Sequence, residues 1–174
     1  MQETGAAAVV RELAGRGVDT MFTVSGNQIL PIFDAAGDVG IRLIHMRHET
    51  AAVYAAIGAS ETTGKPAVAL VSAGPGFLAS LQGLGVAASM ELPVLLLSGG
   101  APTHQIPYGA FQHLDQQALA RASGAISMRL EQGGSASELL DRAWQCLHEA
   151  VVQPVHIEMA ADVLLNSVSA RPLG

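Results

Sequence analysis

Apolar residues follow two rhythms along this chain. Residues 20–24, 41–46, 67–71, 93–97, 125–130 and 155–159 are short, nearly unbroken apolar runs, the pattern expected of strands buried on both faces. Between them apolar positions recur at helical spacing. The first helix follows a Thr4 cap, turns Ala7, Val10, Leu13 and Ala14 inward, and stops at Gly15-Arg16-Gly17. After a Ser25-Gly26-Asn27 turn, Ile29, Leu30, Ile32 and Phe33 predict a short helix with Pro31 in its first turn. Residues 48–63 predict a longer one, ended by Gly64-Lys65-Pro66, and further helices are expected over 77–90 and 113–122. A last helix, capped by Ser135 or Ser137, would bury Leu139, Leu140, Ala143, Trp144, Leu147 and Val151. No two strands are joined by a two-residue hairpin turn. The chain therefore reads as an α/β fold, a doubly wound, six-stranded, mainly parallel sheet with helices on both faces.

Residues 1–165 read as a single domain, and 166–174 lose periodicity like a tail or the start of an interdomain linker. Gly83 and Gly85 within the 77–90 helix cost propensity, so another backbone or a ligand is expected close by. Residues 98–102 are expected to turn away from the fourth strand, and residues 103–109 form the longest irregular stretch.

Composition narrows the function. Charged residues make up 14% of the 174, against about a quarter in typical soluble domains, which suggests surface covered by partners. The net charge of −6 has no basic run to offset it, so neither nucleic acid nor an anionic membrane is expected as a partner. Cys146 is the one cysteine and falls in a helical pattern beside Trp144 and Leu147, as expected of a buried structural thiol in a reducing compartment. No apolar run approaches the roughly 20 residues of a membrane span, and Met-Gln-Glu-Thr-Gly does not resemble a leader. The expected location is the cytoplasm.

Doubly wound sheets bind ligands at the carboxyl ends of their strands, which puts the turns at 24–27, 45–49, 72–76 and 98–101 on one edge. Glu49 follows a strand and opens a helix whose next residues are Thr, Ala, Val and Tyr. A carboxylate there could serve the helix dipole alone. The scarcity of polar neighbours would also strip its hydration, which suits a proton donor or a hydrogen bond to a ring nitrogen. Ser72-Ala73-Gly74-Pro75-Gly76, one helix and one strand later, would let backbone approach a planar ligand on that same edge. His45, His48 and Glu49 straddle a strand-to-helix turn without further ligands, so no metal site is expected on this chain. Gly83-x-Gly85 lies inside a helix instead of opening one, which discounts a dinucleotide fingerprint, and no Gly-x-Ser-x-Gly supports serine hydrolysis.

Taken together, the segments TMFTVSGNQILPIFDAA (20–36) and GIRLIHMRHETAAVYAAIG (40–58), with Ser72 to Gly76, residues 93–99 and AFQHLDQ (110–116), resemble the N-terminal, pyrimidine-binding domain of thiamine-diphosphate enzymes. The group is that of acetolactate synthase and related 2-oxo acid decarboxylases, and the likeness covers residues 4–165. It implies that Glu49 hydrogen-bonds the aminopyrimidine ring nitrogen and favours the imino tautomer, the carbanion chemistry belonging to the cofactor. It also implies that Gly26, Ser72, Gly74 and Pro75 contact the cofactor, and that Val24, Phe111 and Gln112 face the substrate. Some positions depart from the family pattern. Thr23 stands for a usual Gly, Ile57 for an acid or polar residue and Ala79 for a frequent Asn, while the basic residue of acetolactate synthases is missing from 123–125.

The family holds the diphosphate and its Mg2+ on a separate domain through a Gly-Asp-Gly to Asn motif. Here the asparagines are Asn27 and Asn166, and no Gly-Asp-Gly occurs. The expectation is half a site: a subunit or domain that needs a complementary diphosphate-binding partner, forms a homodimer or higher oligomer, and acts on a small 2-oxo acid. The alternative is a non-catalytic binding or oligomerisation module of the same fold.

Overall fold

The computed structural model describes residues 2–169. Strand β1 (Gln2–Thr4) leads into α1 (Gly5–Gly15), followed by β2 (Thr20–Thr23), α2 (Leu30–Asp38), β3 (Arg42–His45), α3 (Glu49–Thr63), β4 (Ala67–Val71) and α4 (Pro75–Ser89). Then come β5 (Val94–Gly100), α5 (Gln116–Ala122), β6 (Ile126–Leu130), α6 (Ala136–Cys146), β7 (Val155–Ala160), α7 (Ala161–Leu165) and β8 (Ser167–Ser169). Six strands form one sheet in the order β3-β2-β4-β5-β7-β6, with every pairing parallel. The expected doubly wound architecture is present.

Local rules account for the elements. The Thr4 hydroxyl accepts a hydrogen bond from the Ala7 amide at 3.1 Å, the expected cap of α1. Gly64 ends α3 at φ 67°, where a side chain would be strained, and its amide donates to the Ser60 carbonyl. Central strands bury both faces, so successive residues feed two cores. Val68, Leu70, Leu95 and Leu97 pack with α1, α2, α6 and α7. Ala69, Val71, Val94 and Leu96 pack with α3, α4 and α5.

The crossover from β2 to β3 runs over the first face through α2, and that from β3 to β4 returns over the second through α3. Chain direction therefore diverges between the carboxyl ends of β2 and β4, which is where such sheets open a crevice. Helices α3 and α4 meet closely beside it. A Cβ on Gly83 would lie 2.7 Å from Val53 Cβ, so that glycine serves helix contact, whereas a Cβ on Gly85 would meet only the Ser123 carbonyl at 3.9 Å. The Thr50 hydroxyl donates to the Ala79 carbonyl across the same contact.

Several boundaries differ from the sequence reading. Ser98, Gly99 and Gly100 do not turn away but extend β5, fully buried and paired with β7. Helix α5 starts at Gln116, because Asp115 caps it by accepting from the Ala118 amide at 2.9 Å. Helix α6 ends at Cys146, leaving Val151 65% exposed, and the Ser135 hydroxyl donates to the Gln132 carbonyl in place of capping. Cys146 is half-buried against the first core. Past β7, α7 and β8 continue regular structure, β8 pairing antiparallel with β1. Residues 170–174 of the expected tail lie outside the described residues.

Candidate active site

The carboxyl ends of β2, β3 and β4 bring most of the sequence-derived residues together. After β3 the chain bends at Arg47 and His48, and His48 Nδ1 accepts from the Thr50 amide at 3.2 Å and so caps α3. Glu49 is thereby fixed as the first residue of that helix, half-buried. One of its carboxylate oxygens, Oε1, sits 3.2 Å from where a Gly76 Cβ would be, and Ser72 Cβ lies 3.4 Å from that same point. Among the described residues the Glu49 carboxylate has no hydrogen-bond or ion-pair partner. Neither Arg47 nor His48 neutralises it.

Glycines let the loops touch. A Cβ on Gly26 would fall 2.2 Å from Ser72 Oγ, so only glycine allows the β2 turn to rest on that serine. Gly74 has φ 60°, opening the turn into Pro75 at the start of α4. The space over Gly74 is filled by the chain itself, since a Cβ there would meet the Gln112 carbonyl oxygen at 2.6 Å. Gln112 also has a left-handed φ of 61°, unusual for a residue with a side chain. Gly26, Glu49, Ser72, Gly74 and Gln112 thus converge. Pro75 is exposed beside them, and Val24 is half-buried, its amide donating to the Leu70 carbonyl at 3.4 Å. Phe111 adjoins the group in sequence only; its side chain is 81% exposed.

One residue at the centre escaped the sequence reading. The Ser72 hydroxyl donates to Gln28 Oε1 at 2.6 Å, and Gln28 Nε2 donates to Gln112 Oε1 at 2.8 Å. The available signal was an amide just after the Ser25-Gly26-Asn27 turn and directly before the fully buried Ile29.

A second polar group lies inside the sheet, under α5. His156 is wholly buried between Ser98 Oγ, 2.8 Å from Nε2, and Ser127 Oγ, 2.9 Å from Nδ1. Burial, assisted by the Arg121 charge, lowers its pKa to about 3. Glu158, 3% exposed, pairs in register with Arg129 of β6, and burial raises its pKa against the opposing pull of Arg129 and Gln116. Gln116 Nε2 donates to the Gly99 carbonyl at 2.9 Å, while Gln116 Oε1 and Arg129 Nη2 are buried without a partner.

Among the described residues there is no cluster of three or more His, Cys, Asp or Glu able to hold a metal ion, and no helix is long and apolar enough to cross a membrane.

Comparison with known proteins places the chain. The family model described as thiamine pyrophosphate enzyme, N-terminal TPP binding domain, matches residues 3–119. The chain belongs to that family. It is 31% identical over 166 residues to a probable acetolactate synthase of Mycobacterium bovis, covering 94% of this chain and 30% of the relative. It is 34% identical over 162 residues to the acetolactate synthase isozyme 3 large subunit of Escherichia coli, covering 92% and 28%. A 2-hydroxyacyl-CoA lyase 2 of Mus musculus is 34% identical over 160 residues, covering 92% and 25%. The chain thus spans less than a third of the length of these relatives.

Proposed function

We propose that this chain supplies the pyrimidine side of a thiamine-diphosphate active site that decarboxylates or carboligates a 2-oxo acid. The observation that carries the proposal is Glu49, a half-buried acid on the ligand edge with no partner among the described residues, facing the side-chain-free backbone of Gly76. An acid with unspent hydrogen-bonding capacity beside bare backbone fits a ring that offers a nitrogen.

In this reading Gly26, Ser72, Gly74 and Pro75 shape the slot that receives the ring. Glu49 holds a proton against the ring nitrogen, and the apolar wall of α3, with Ala52 and Val53 fully buried, limits competing water. Bound there, the cofactor supplies the electron sink for breaking or making the bond beside a 2-oxo carbonyl. Val24, Phe111 and Gln112 face the substrate. Diphosphate and Mg2+ belong to a complementary domain or subunit. Tyr54 on α3 and Leu78 on α4, 40% and 44% exposed, are apolar surface that such a partner or a second copy would cover. The assembly would work in the cytoplasm.

The test is Glu49→Gln in the complete enzyme with its diphosphate-binding partner. Turnover should fall about a hundredfold or more, as expected when a positioned proton carrier is lost. Full activity in that variant would overturn the assignment.

A further inference from the structure

We propose that Gln28 is a positioning residue that fixes which end of the Gln112 amide meets the substrate. The inference rests on the active-site reading above and adds to it a residue and a direction.

Gln28 is held on three sides. Its stem lies on β5, where a Cβ on Gly99 would come within 2.7 Å of Gln28 Cβ and 3.1 Å of Ile29 Cγ2, and Ile29 is fully buried. Ser72 is pressed by Gly26, and its hydroxyl donates to Gln28 Oε1 at 2.6 Å. With the carbonyl end of Gln28 taken, its Nε2 faces Gln112 and donates to Oε1 at 2.8 Å. Gln112 in turn is held over Gly74 in a left-handed backbone conformation.

An amide has one accepting and one donating end, so fixing one end of such a chain fixes the rest. The order Ser72 to Gln28 to Gln112 consumes the Gln112 carbonyl. Gln112 Nε2 has no partner among the described residues, and its N–H groups are the free end. The site therefore presents donors, which select a substrate carrying an anionic or carbonyl oxygen at that point. The carboxylate or keto oxygen of a 2-oxo acid has this chemistry. An amine or hydroxyl needing an acceptor would be refused.

The experiment uses the complete enzyme with its diphosphate-binding partner. It measures KM and kcat for a 2-oxo acid, Kd for an unreactive phosphonate analogue of that acid, and Kd for thiamine diphosphate. Gln28→Glu can only accept, so it would take the Gln112 N–H groups and turn the Gln112 carbonyl toward the substrate. KM and the phosphonate Kd should rise about tenfold or more, the effect of losing a hydrogen bond to a charged group. Gln28→Met breaks the chain without reversing it and should cost roughly threefold. Thiamine diphosphate affinity should stay within about twofold in both variants.

The decisive arm repeats Gln28→Glu in a Gln112→Met background. If Gln28 acts through Gln112, the substitution adds no further loss there. An equal loss in both backgrounds, which simple charge repulsion or a packing defect would produce, overturns the proposal, as does an unchanged phosphonate Kd in Gln28→Glu. A wild-type enzyme that binds neither cofactor nor phosphonate would remove the active-site reading and this inference together. Normal wild-type binding with indifferent Gln28 variants would remove the inference alone.

Discussion

Two glutamates of this chain are treated in opposite ways. Glu158 is almost wholly buried, its pKa raised by that burial, and the chain crowds it: a Cβ on Gly100 would lie 2.8 Å from its Oε1. Glu49 is less buried, yet no described residue hydrogen-bonds or pairs with its carboxylate. Burial and a displaced pKa therefore do not by themselves mark an acid as a reagent. What distinguishes Glu49 is its place, half-exposed beside Gly76 and Ser72 where a ligand can reach it, whereas Glu158 is sealed inside the sheet with Arg129 and Gln116 acting on its charge.

The sharpest way to break this contrast is to substitute each acid and compare activity with stability. Glu49→Gln should lose turnover by about a hundredfold while stability changes by less than about 1 kcal/mol, the loss of a helix-terminal charge. Thermal unfolding beside steady-state kinetics gives both numbers. Glu158→Ala should do the reverse. It leaves a cavity and removes the negative charge opposite Arg129, so unfolding should cost about 2–4 kcal/mol less, with kcat of the folded enzyme largely kept. If Glu158→Ala abolished turnover at temperatures where it stays folded, the division of labour would be wrong.

The next effect concerns acid. His156 binds a proton in the folded protein only near pH 3, whereas an unfolded chain takes it up below its ordinary value of 6.5. The unfolded state thus holds more protons across that window, and stability should fall by about 1.4 kcal/mol for each pH unit below 6.5. Glu158 acts in the opposite sense. Its raised pKa favours the fold below the ordinary carboxylate value and loses that advantage as pH rises through the folded-state value. Urea unfolding across pH should show the loss of stability below pH 6.5 shrink in His156→Gln, while the opposite contribution of Glu158 remains.

The smallest change is Gly76→Ala. Its Cβ would stand 3.2 Å from Glu49 Oε1, so the carboxylate must shift by a few tenths of an ångström. A few-fold rise in the thiamine diphosphate Kd with unchanged thermal stability is expected; an unaltered Kd would mean that the bare backbone at Gly76 is not part of the slot.

Much of this was readable from the letters, for a physical reason. The apolar run at 67–71 matches β4 to the residue because a strand buried on both faces leaves no polar position to blur its ends. Glu49 was readable because a strand, a turn and an apolar helix follow one another there. Gly99 and Gly100 misled: glycines beside Ser98 look like a turn, yet they extend β5 because Gln28 and Glu158 occupy the space their side chains would need. Nothing local announces that requirement, since the occupants are 71 and 58 residues away in sequence. Gln28 was missed on the same ground. His156 and Glu158 did leave a trace, two polar letters at alternate positions of an otherwise apolar strand, both turned toward the α5 face.

The pairing of β1 with β8 has a mechanical consequence. Gln2 lies opposite Ser169 and Thr4 opposite Ser167, so the two strands form a latch that brings both ends of the described chain to one point. Tension between residues 2 and 169 would meet the outermost rung first and open the ladder one bond after another. The six parallel strands behind it would remain unloaded until the latch had parted. Such a joint yields early and spares the body, as a fuse does, so a pull on these two ends leaves the edge that carries Glu49 undistorted.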